Sequence, residues 1–244
     1  VSRIQVKNLS FTWPGSSRAV IDIPEWSIDS ETIFLFGPSG SGKSTLIALL
    51  AGVLTPSFGE IRIDNQRLDM LSPSVRDRFR ADNLGLVFQQ FNLIPYLSVQ
   101  QNILLPLYFS RKRAASVGSS NDQKIASLKL LEELELGIDC ASKPANELSV
   151  GQQQRVAIAR ALIGSPGLII ADEPTSALDV DARDSFMSLL FREVHRINAT
   201  LIFVSHDRSL ARGFNRETSL ESLNKVDSAE GHPMHFASVT GART

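Results

Sequence analysis

The chain has 244 residues, 43% of them hydrophobic, and its 25 Lys and Arg nearly balance 26 Asp and Glu. This suffices for one large domain, or for a domain with a sub-domain. The net charge of −1 argues against a nucleic-acid partner, since neutralising phosphates needs an excess of Lys and Arg. The single cysteine, Cys140, allows no internal disulfide and no metal cluster of its own, and reads as a small hydrophobe. No apolar run reaches the roughly 18–20 residues that span a bilayer. Residues 1–30, with Arg3, Lys7, Asp22 and Glu25 scattered through them, lack the pattern of a signal peptide. A cytosolic protein that meets membranes only through a partner is the expectation.

In chain order, RIQVKNLSFTW (3–13) alternates apolar and polar residues and predicts a strand, with PGSS (14–17) as its turn. TIFLF (32–36) is a continuous apolar run, as expected of a strand buried on both faces. STLIALLAG (44–52) predicts a helix closed by Gly52. GEIRIDNQRL (59–68) reads as a hairpin turning at Asp64-Asn65, and LGLVF (84–88) as another buried strand. From Gln89 to about Asn146 helical patterns dominate, including 123–136 with Ile125, Leu128, Leu131 and Leu134 near helical spacing. Within that stretch, 111–124 is polar and reads as a mobile connection, with Arg111, Lys112 and Arg113 as a solvated helix end. LIIA (168–171) and TLIFVS (200–205) restore the buried-strand pattern around a helix at 180–198. Strands and helices alternating around a parallel sheet, with a helical insert, make an α/β fold. His232 and His235 lie in a weakly periodic tail and read as tail residues, not ligands.

GPSGSGKST (37–45) fits G-x-x-x-x-G-K-[ST] and lies between a predicted strand and a predicted helix. Gly37, Gly40 and Gly42 permit backbone angles that turn successive N–H groups inward on phosphate oxygens, with Pro38, Ser39 and Ser41 completing the loop. The helix starting near Lys43 adds its positive end. Lys43 supplies a point charge for the β- and γ-phosphates, Ser44 a hydroxyl for Mg²⁺, and Thr45 a hydroxyl near the α-phosphate. A nucleotide with Mg²⁺ is therefore the expected ligand.

LIIADEP (168–174) sets two carboxylates at the end of a buried strand, where open α/β sheets bind ligands. Neighbouring strand residues point to opposite sides, so Asp172 and Glu173 are read with separate tasks. Asp172 suits the Mg²⁺ shell, and Glu173 is free to orient and deprotonate the attacking water.

In order, the phosphate loop, LVFQQ (86–90), LSVGQ (148–152), ADEP (171–174), SALD (176–179) and FVSHD (203–207) resemble the ATP-binding subunit of ABC transporters over roughly residues 3–215. The resemblance implies a P-loop NTPase (RecA-like) core at 1–90 and 147–224, with an N-terminal antiparallel β sub-domain. A helical sub-domain would fill about 91–146, and a tail 225–244. It further implies that Gln89 reaches Mg²⁺ and the attacking water, that His206 contacts the γ-phosphate, and that Asp179 belongs to an inter-subunit loop. Trp13 would stack on adenine, with Phe11 as second choice. Two copies would pair head-to-tail on two ATP. Ser149, Gly151 and Gln152, at the start of a helix over 152–164, would cover the nucleotide held by the other copy.

Val150 stands where this family has a glycine. A left-handed backbone there would cost valine roughly 1–2 kcal/mol, whereas a β or helical backbone would cost less. The expectation is a working but slower site, with a degenerate signature as the minority reading. Membrane subunits would be separate chains, placing this one at the cytoplasmic face of a bacterial inner membrane. Residues 91–109, with Phe91 and Tyr96, would form the groove that receives a permease's short cytoplasmic helix. GLVFQQFNLIPYLSVQQNILLPL (85–107) and VSHDRSLA (204–211) resemble the lipoprotein-release, macrolide-export and cell-division branch. LSVGQQQRVAIARAL (148–162) also resembles polar amino-acid importers, the alternative, and a force-transmitting ATPase that transports nothing stays open. After Ala211 the usual hydrophobic strand is weakened.

Overall fold

The structure is a computed structural model that describes residues 3–176, 178 and 180–226, without the side chains of 180–182. Asp179, His232 and His235 lie outside the described residues.

The chain opens with β1 (Ile4–Thr12) and β2 (Ala19–Ile28), an antiparallel pair, then enters β3 (Thr32–Phe36) and α1 (Lys43–Leu50). Next come β4 (Phe58–Ile63), β5 (Gln66–Arg67), α2 (Pro73–Asn83) and β6 (Leu84–Val87). A helical stretch carries α3 (Val99–Phe109), α4 (Arg111–Val117) and α5 (Ser120–Glu133). It is followed by α6 (Val150–Leu162), β7 (Leu168–Asp172), α7 (Val180–Arg196), β8 (Thr200–Val204), β9 (Arg216–Ser219) and α8 (Leu220–Leu223). One sheet is antiparallel, in the order β2-β1-β4-β5, and the other is parallel, in the order β6-β7-β8-β3-β9. This is a P-loop NTPase core with an antiparallel β sub-domain and an inserted helical segment, in the α/β class expected.

The parallel sheet is a wall between two cores. Phe34, Ile169, Ala171 and Phe203 pack on one face with α6 and the helical segment. Ile33, Leu35, Ile170 and Val204 pack on the other with α1 and the antiparallel sheet. A strand covered on both faces cannot alternate, which is why TIFLF, LIIA and TLIFV read as unbroken apolar runs. β9 sits at the end of this sheet and is only partly buried, so polar RETS is tolerated there.

The 59–68 hairpin turns as expected: Asp64 (φ 45°) and Asn65 (φ 67°) take the left-handed angles a tight two-residue turn requires. β2 was not legible beforehand because Pro24 interrupts its pattern. It is accommodated because β2 ends its sheet and pairs only with β1. α2 has no fully buried residue and hence no apolar period to read.

Residues 111–124 depart from the expectation of a mobile connection. They form α4 and the start of α5, capped by the Ser110 and Ser119 side chains and separated at Gly118. Arg113 is not solvated but 3% exposed. Its guanidinium donates to the carbonyls of Leu84 (3.1 Å), Ala161 (2.9 Å) and Ile163 (Nε, 2.8 Å), tying α4 to β6 and the end of α6. Burial lowers its pKa to about 10, opposed by the charge of Asp82. Gly85 is needed at the same junction, because a Cβ there would lie 2.4 Å from the Ala161 carbonyl oxygen. In α5 the inward residues are Leu130 and Leu131, followed by Leu134, while Ile125 is exposed.

Candidate functional site

β3, β7 and β8 run parallel and in register, with Leu35 beside Val204 and Val204 beside Asp172, and β6 pairs Val87 with Ala171. Their carboxyl ends bring together the phosphate loop, Gln89, the Asp172–Glu173 pair and Ser205–His206. Ligands of open α/β sheets bind at such an edge.

The loop from Gly37 to Gly42 leads into α1, whose N-cap is Gly42. Gly40 (φ 80°) and Gly42 (φ 98°) hold left-handed backbone that other residues rarely adopt. Gly37 does not have a positive φ; its requirement is space, since a Cβ would approach Ser41 Oγ to 2.9 Å. Lys43 Nζ donates to the carbonyls of Gly37 (2.7 Å) and Pro38 (2.9 Å), holding its charge over the loop. Among the described residues Ser41 Oγ is buried with no hydrogen-bond partner. A buried hydroxyl of this kind, beside an ammonium and a helix start, fits phosphate oxygens. Pro38, Ser39 and Ser44 are exposed and Thr45 is half-buried.

Asp172 ends β7 and is pushed up to about 6, mostly by burial and then by the charge of Glu173, while Lys43 opposes the rise. The two carboxylates therefore feel each other, and strand alternation does not separate them. The reason is local. Glu173 adopts φ 47° and leaves the strand, its N–H donating to the Val204 carbonyl at 2.9 Å. Its carboxylate then lies 3.0 Å from His206 Nδ1 and accepts from Ser205 Oγ at 3.3 Å. Gln89 follows the carboxyl end of β6 and is exposed. A carboxylate such as Asp172 and a hydroxyl such as Ser44 are ligand types that suit Mg²⁺, which keeps several waters and takes few protein ligands. Among the described residues no group of three His, Cys, Asp or Glu could hold a metal.

Trp13 is 39% exposed and packs edge-on against Phe11 at 5.0 Å, 85°. Phe11 is 5% exposed and cannot present its ring to a base, which removes the second choice. Phe91 is likewise misread as a docking residue, since it is 6% exposed and belongs to the core. Tyr96 is 79% exposed. Phe109 lies with Leu86, Phe88, Pro106 and Arg160 along a groove of about 490 Å³.

Ser149 is the N-cap of α6, accepting from the Gln152 N–H (3.3 Å) while Gln152 Oε1 accepts from the Ser149 N–H (3.0 Å). This reciprocal cap fixes the helix start. Val150 is its first helical residue, without positive φ, so the left-handed penalty does not arise. The valine side chain is 49% exposed, and a Cβ at Gly151 would meet no atom within 4 Å. The positive end of α6 therefore opens outward.

Several contributors were missed by sequence reasoning. Gln154 is 1% exposed and donates to the Pro174 carbonyl at 2.5 Å, linking α6 to the backbone after Glu173. Asp207 N–H donates to Ser205 Oγ at 3.1 Å, and Arg183 reaches the Asp207 carboxylate at 2.5 Å. Only the long-range contacts distinguish these residues from ordinary polar ones.

The ABC transporter family model matches residues 27–176. The uncharacterized ABC transporter ATP-binding protein MJ0796 of Methanocaldococcus jannaschii is 38% identical over 212 residues, covering 86% of this chain and 89% of that protein. The lipoprotein-releasing system ATP-binding protein LolD of Xanthomonas oryzae pv. oryzae is 39% identical over 191 residues, covering 78% and 75%. A dimeric, post-hydrolysis structure of MJ0796 bound to ADP and Pi superimposes with a TM-score of 0.77 at 35% identity, covering 88% of this chain and 93% of that one.

The raised pKa of Asp172 has a stability consequence of definite sign. A carboxyl that holds its proton more tightly when folded stabilises the fold below its ordinary pKa of 3.8. That contribution is lost as pH rises through about 6. Asp172→Asn in the nucleotide-free protein is therefore expected to raise stability at neutral pH by about 1 kcal/mol, allowing for partial solvation, and to have no such effect at pH about 4. Urea denaturation at both pH values checks this.

Proposed function

The chain belongs to the ABC transporter family as one of its ATP-hydrolysing, ATP-binding cassettes, and we propose that two copies close head-to-tail on two ATP to drive separate membrane subunits. The observation that carries this is the division of the anion-binding elements. Lys43, Asp172, Glu173 and His206 gather at one sheet edge, while the Ser149-capped start of α6 faces open space. A helix N-terminus attracts anions. In a second copy, Ser149, Gly151 and Gln152 would supply it to the γ-phosphate, and Asp179 would line the same interface.

Within one copy, residues 1–90 and 147–224 form the nucleotide-handling core and 91–146 the helical sub-domain. Trp13 offers adenine a face, and the backbone of residues 37–42 with Lys43 and Thr45 cradles the phosphates. Ser44, Asp172 and Gln89 would hold Mg²⁺, which supplies charge neutralisation at the β- and γ-oxygens. Glu173 takes a proton from the attacking water. His206 Nδ1 lies 3.0 Å from the Glu173 carboxylate, and a ring carrying protons on both nitrogens would also donate from Nε2 to the γ-phosphate. Asp172 serves binding at a cost to the empty protein, because its carboxylate must ionise in a largely buried place.

The relatives named for lipoprotein release favour a system of export or lipoprotein-release type over the importer reading. No helix among the described residues is long and apolar enough to cross a membrane. A permease would meet this chain from the cytoplasmic side of the inner membrane. The groove beside Phe109 suits a short amphipathic helix, with apolar Leu86, Phe88 and Pro106 along it and Asp77, Arg80 and Arg160 also lining it.

Glu173→Gln is expected to keep ATP binding while lowering turnover by about 10²–10⁴-fold, the usual worth of a positioned base. Equilibrium nucleotide titration and phosphate release separate the two effects, and near-normal turnover would remove Glu173 from this role. Phe109→Glu is expected to leave the ATPase of the isolated chain intact and to abolish co-purification with solubilised membrane subunits. Unchanged co-purification would dismiss the groove.

A further inference from the structure

We infer that Arg183 is a positioning residue that ties Leu178 to the His206 segment, so that the proposed subunit interface and the Glu173 carboxylate are set together. This rests on the cassette reading above.

Arg183 lies in the first turn of α7, just past the SALD loop. One guanidinium nitrogen reaches the Asp207 carboxylate at 2.5 Å, and the other donates to the Leu178 carbonyl at 3.2 Å. Leu178 immediately precedes Asp179, and Asp207 immediately follows His206. From Asp207 the connection continues inward. Its N–H donates to Ser205 Oγ (3.1 Å), and that hydroxyl donates to Glu173 (3.3 Å). His206 contacts the same carboxylate at 3.0 Å. One side chain thus closes a path from the residue before Asp179 to the proposed base.

The residue type matters. A guanidinium is a rigid planar fork that can serve two acceptors at once, whereas a lysine ammonium is a point charge. Among the described residues Arg183 Nε is buried without a hydrogen-bond partner, and the polar contacts of the side chain are those of its terminal nitrogens with Asp207 and Leu178. A shift of the loop at Leu178 must either carry the guanidinium with it, pulling on Asp207, or break one of those contacts. Either response is felt at Ser205 and His206, and through them at Glu173.

The test uses the full chain with Arg183→Ala and Arg183→Lys. It follows ATP affinity, thermal midpoint, kcat and the Hill coefficient for ATP hydrolysis. For Arg183→Ala, affinity should stay within about twofold, kcat should fall about tenfold, and the Hill coefficient should drop towards about 1, with the midpoint unchanged. Arg183→Lys keeps a charge for Asp207 but not the fork, so part of kcat should return while cooperativity should not. Wild-type kcat and Hill coefficient in Arg183→Ala would overturn the inference. So would a loss of kcat that follows a lowered midpoint and that lysine restores together with it. Absence of hydrolysis in the unsubstituted chain would instead overturn the cassette reading on which the inference stands.

Discussion

The parallel ladder that places Leu35, Val204 and Asp172 side by side is the constraint on which the site depends. Each strand contributes one fragment at its carboxyl end, and none would function alone. β3 releases the phosphate loop, β7 ends in Asp172, β8 delivers Ser205 and His206, and β6 leads to Gln89. A slip of one register position would turn alternate side chains to the opposite core. Phe34 and Phe203 on one face, and Leu35 and Val204 on the other, oppose any such slip. The groups at this edge are therefore aligned by apolar packing on both sides of a sheet in which Asp172, the last residue of β7, is the strand residue placed at the site.

Strain is concentrated where that ladder stops. Glu173 turns into left-handed backbone directly after Asp172. Such a conformation is unfavourable for a residue with a Cβ and persists only when its surroundings hold it. Here they are the Val204 carbonyl, Ser205, His206, and Gln154 acting on the next carbonyl. The turn brings a second carboxylate close enough to raise the pKa of the first. Under the proposed function, a group that is costly in the empty protein would become useful once positive charge arrives. This is the familiar opposition between stability and function.

The sequence disclosed those features whose physics is local. The phosphate loop was readable because left-handed positions at Gly40 and Gly42, a lysine and a helix start fall within a few residues. The buried strands were readable for the same reason. Arg113 was not. Its acceptors come from residues 84, 161 and 163, and a basic trio carries no sign of them. Phe91 and Phe109 are both aromatics in an apolar stretch, and only packing shows that the first is core and the second exposed. Val150 carried two opposite expectations until the backbone assigned it to a capped helix. Alternation misled at Glu173 because one left-handed residue ends it.

In the proposed pairing, the phosphate loop of one copy and the outward-facing, capped start of α6 of the other are two halves of one site. The most direct measurement of that claim is cross-linking between copies in a Cys140→Ala, Glu173→Gln background. One preparation would carry Ser39→Cys and the other Val150→Cys, both at exposed positions. The account predicts a disulfide-linked dimer when the two are mixed with ATP, and little without nucleotide. Failure to cross-link between chains with ATP bound, or a disulfide formed within a single chain carrying both changes, would contradict it.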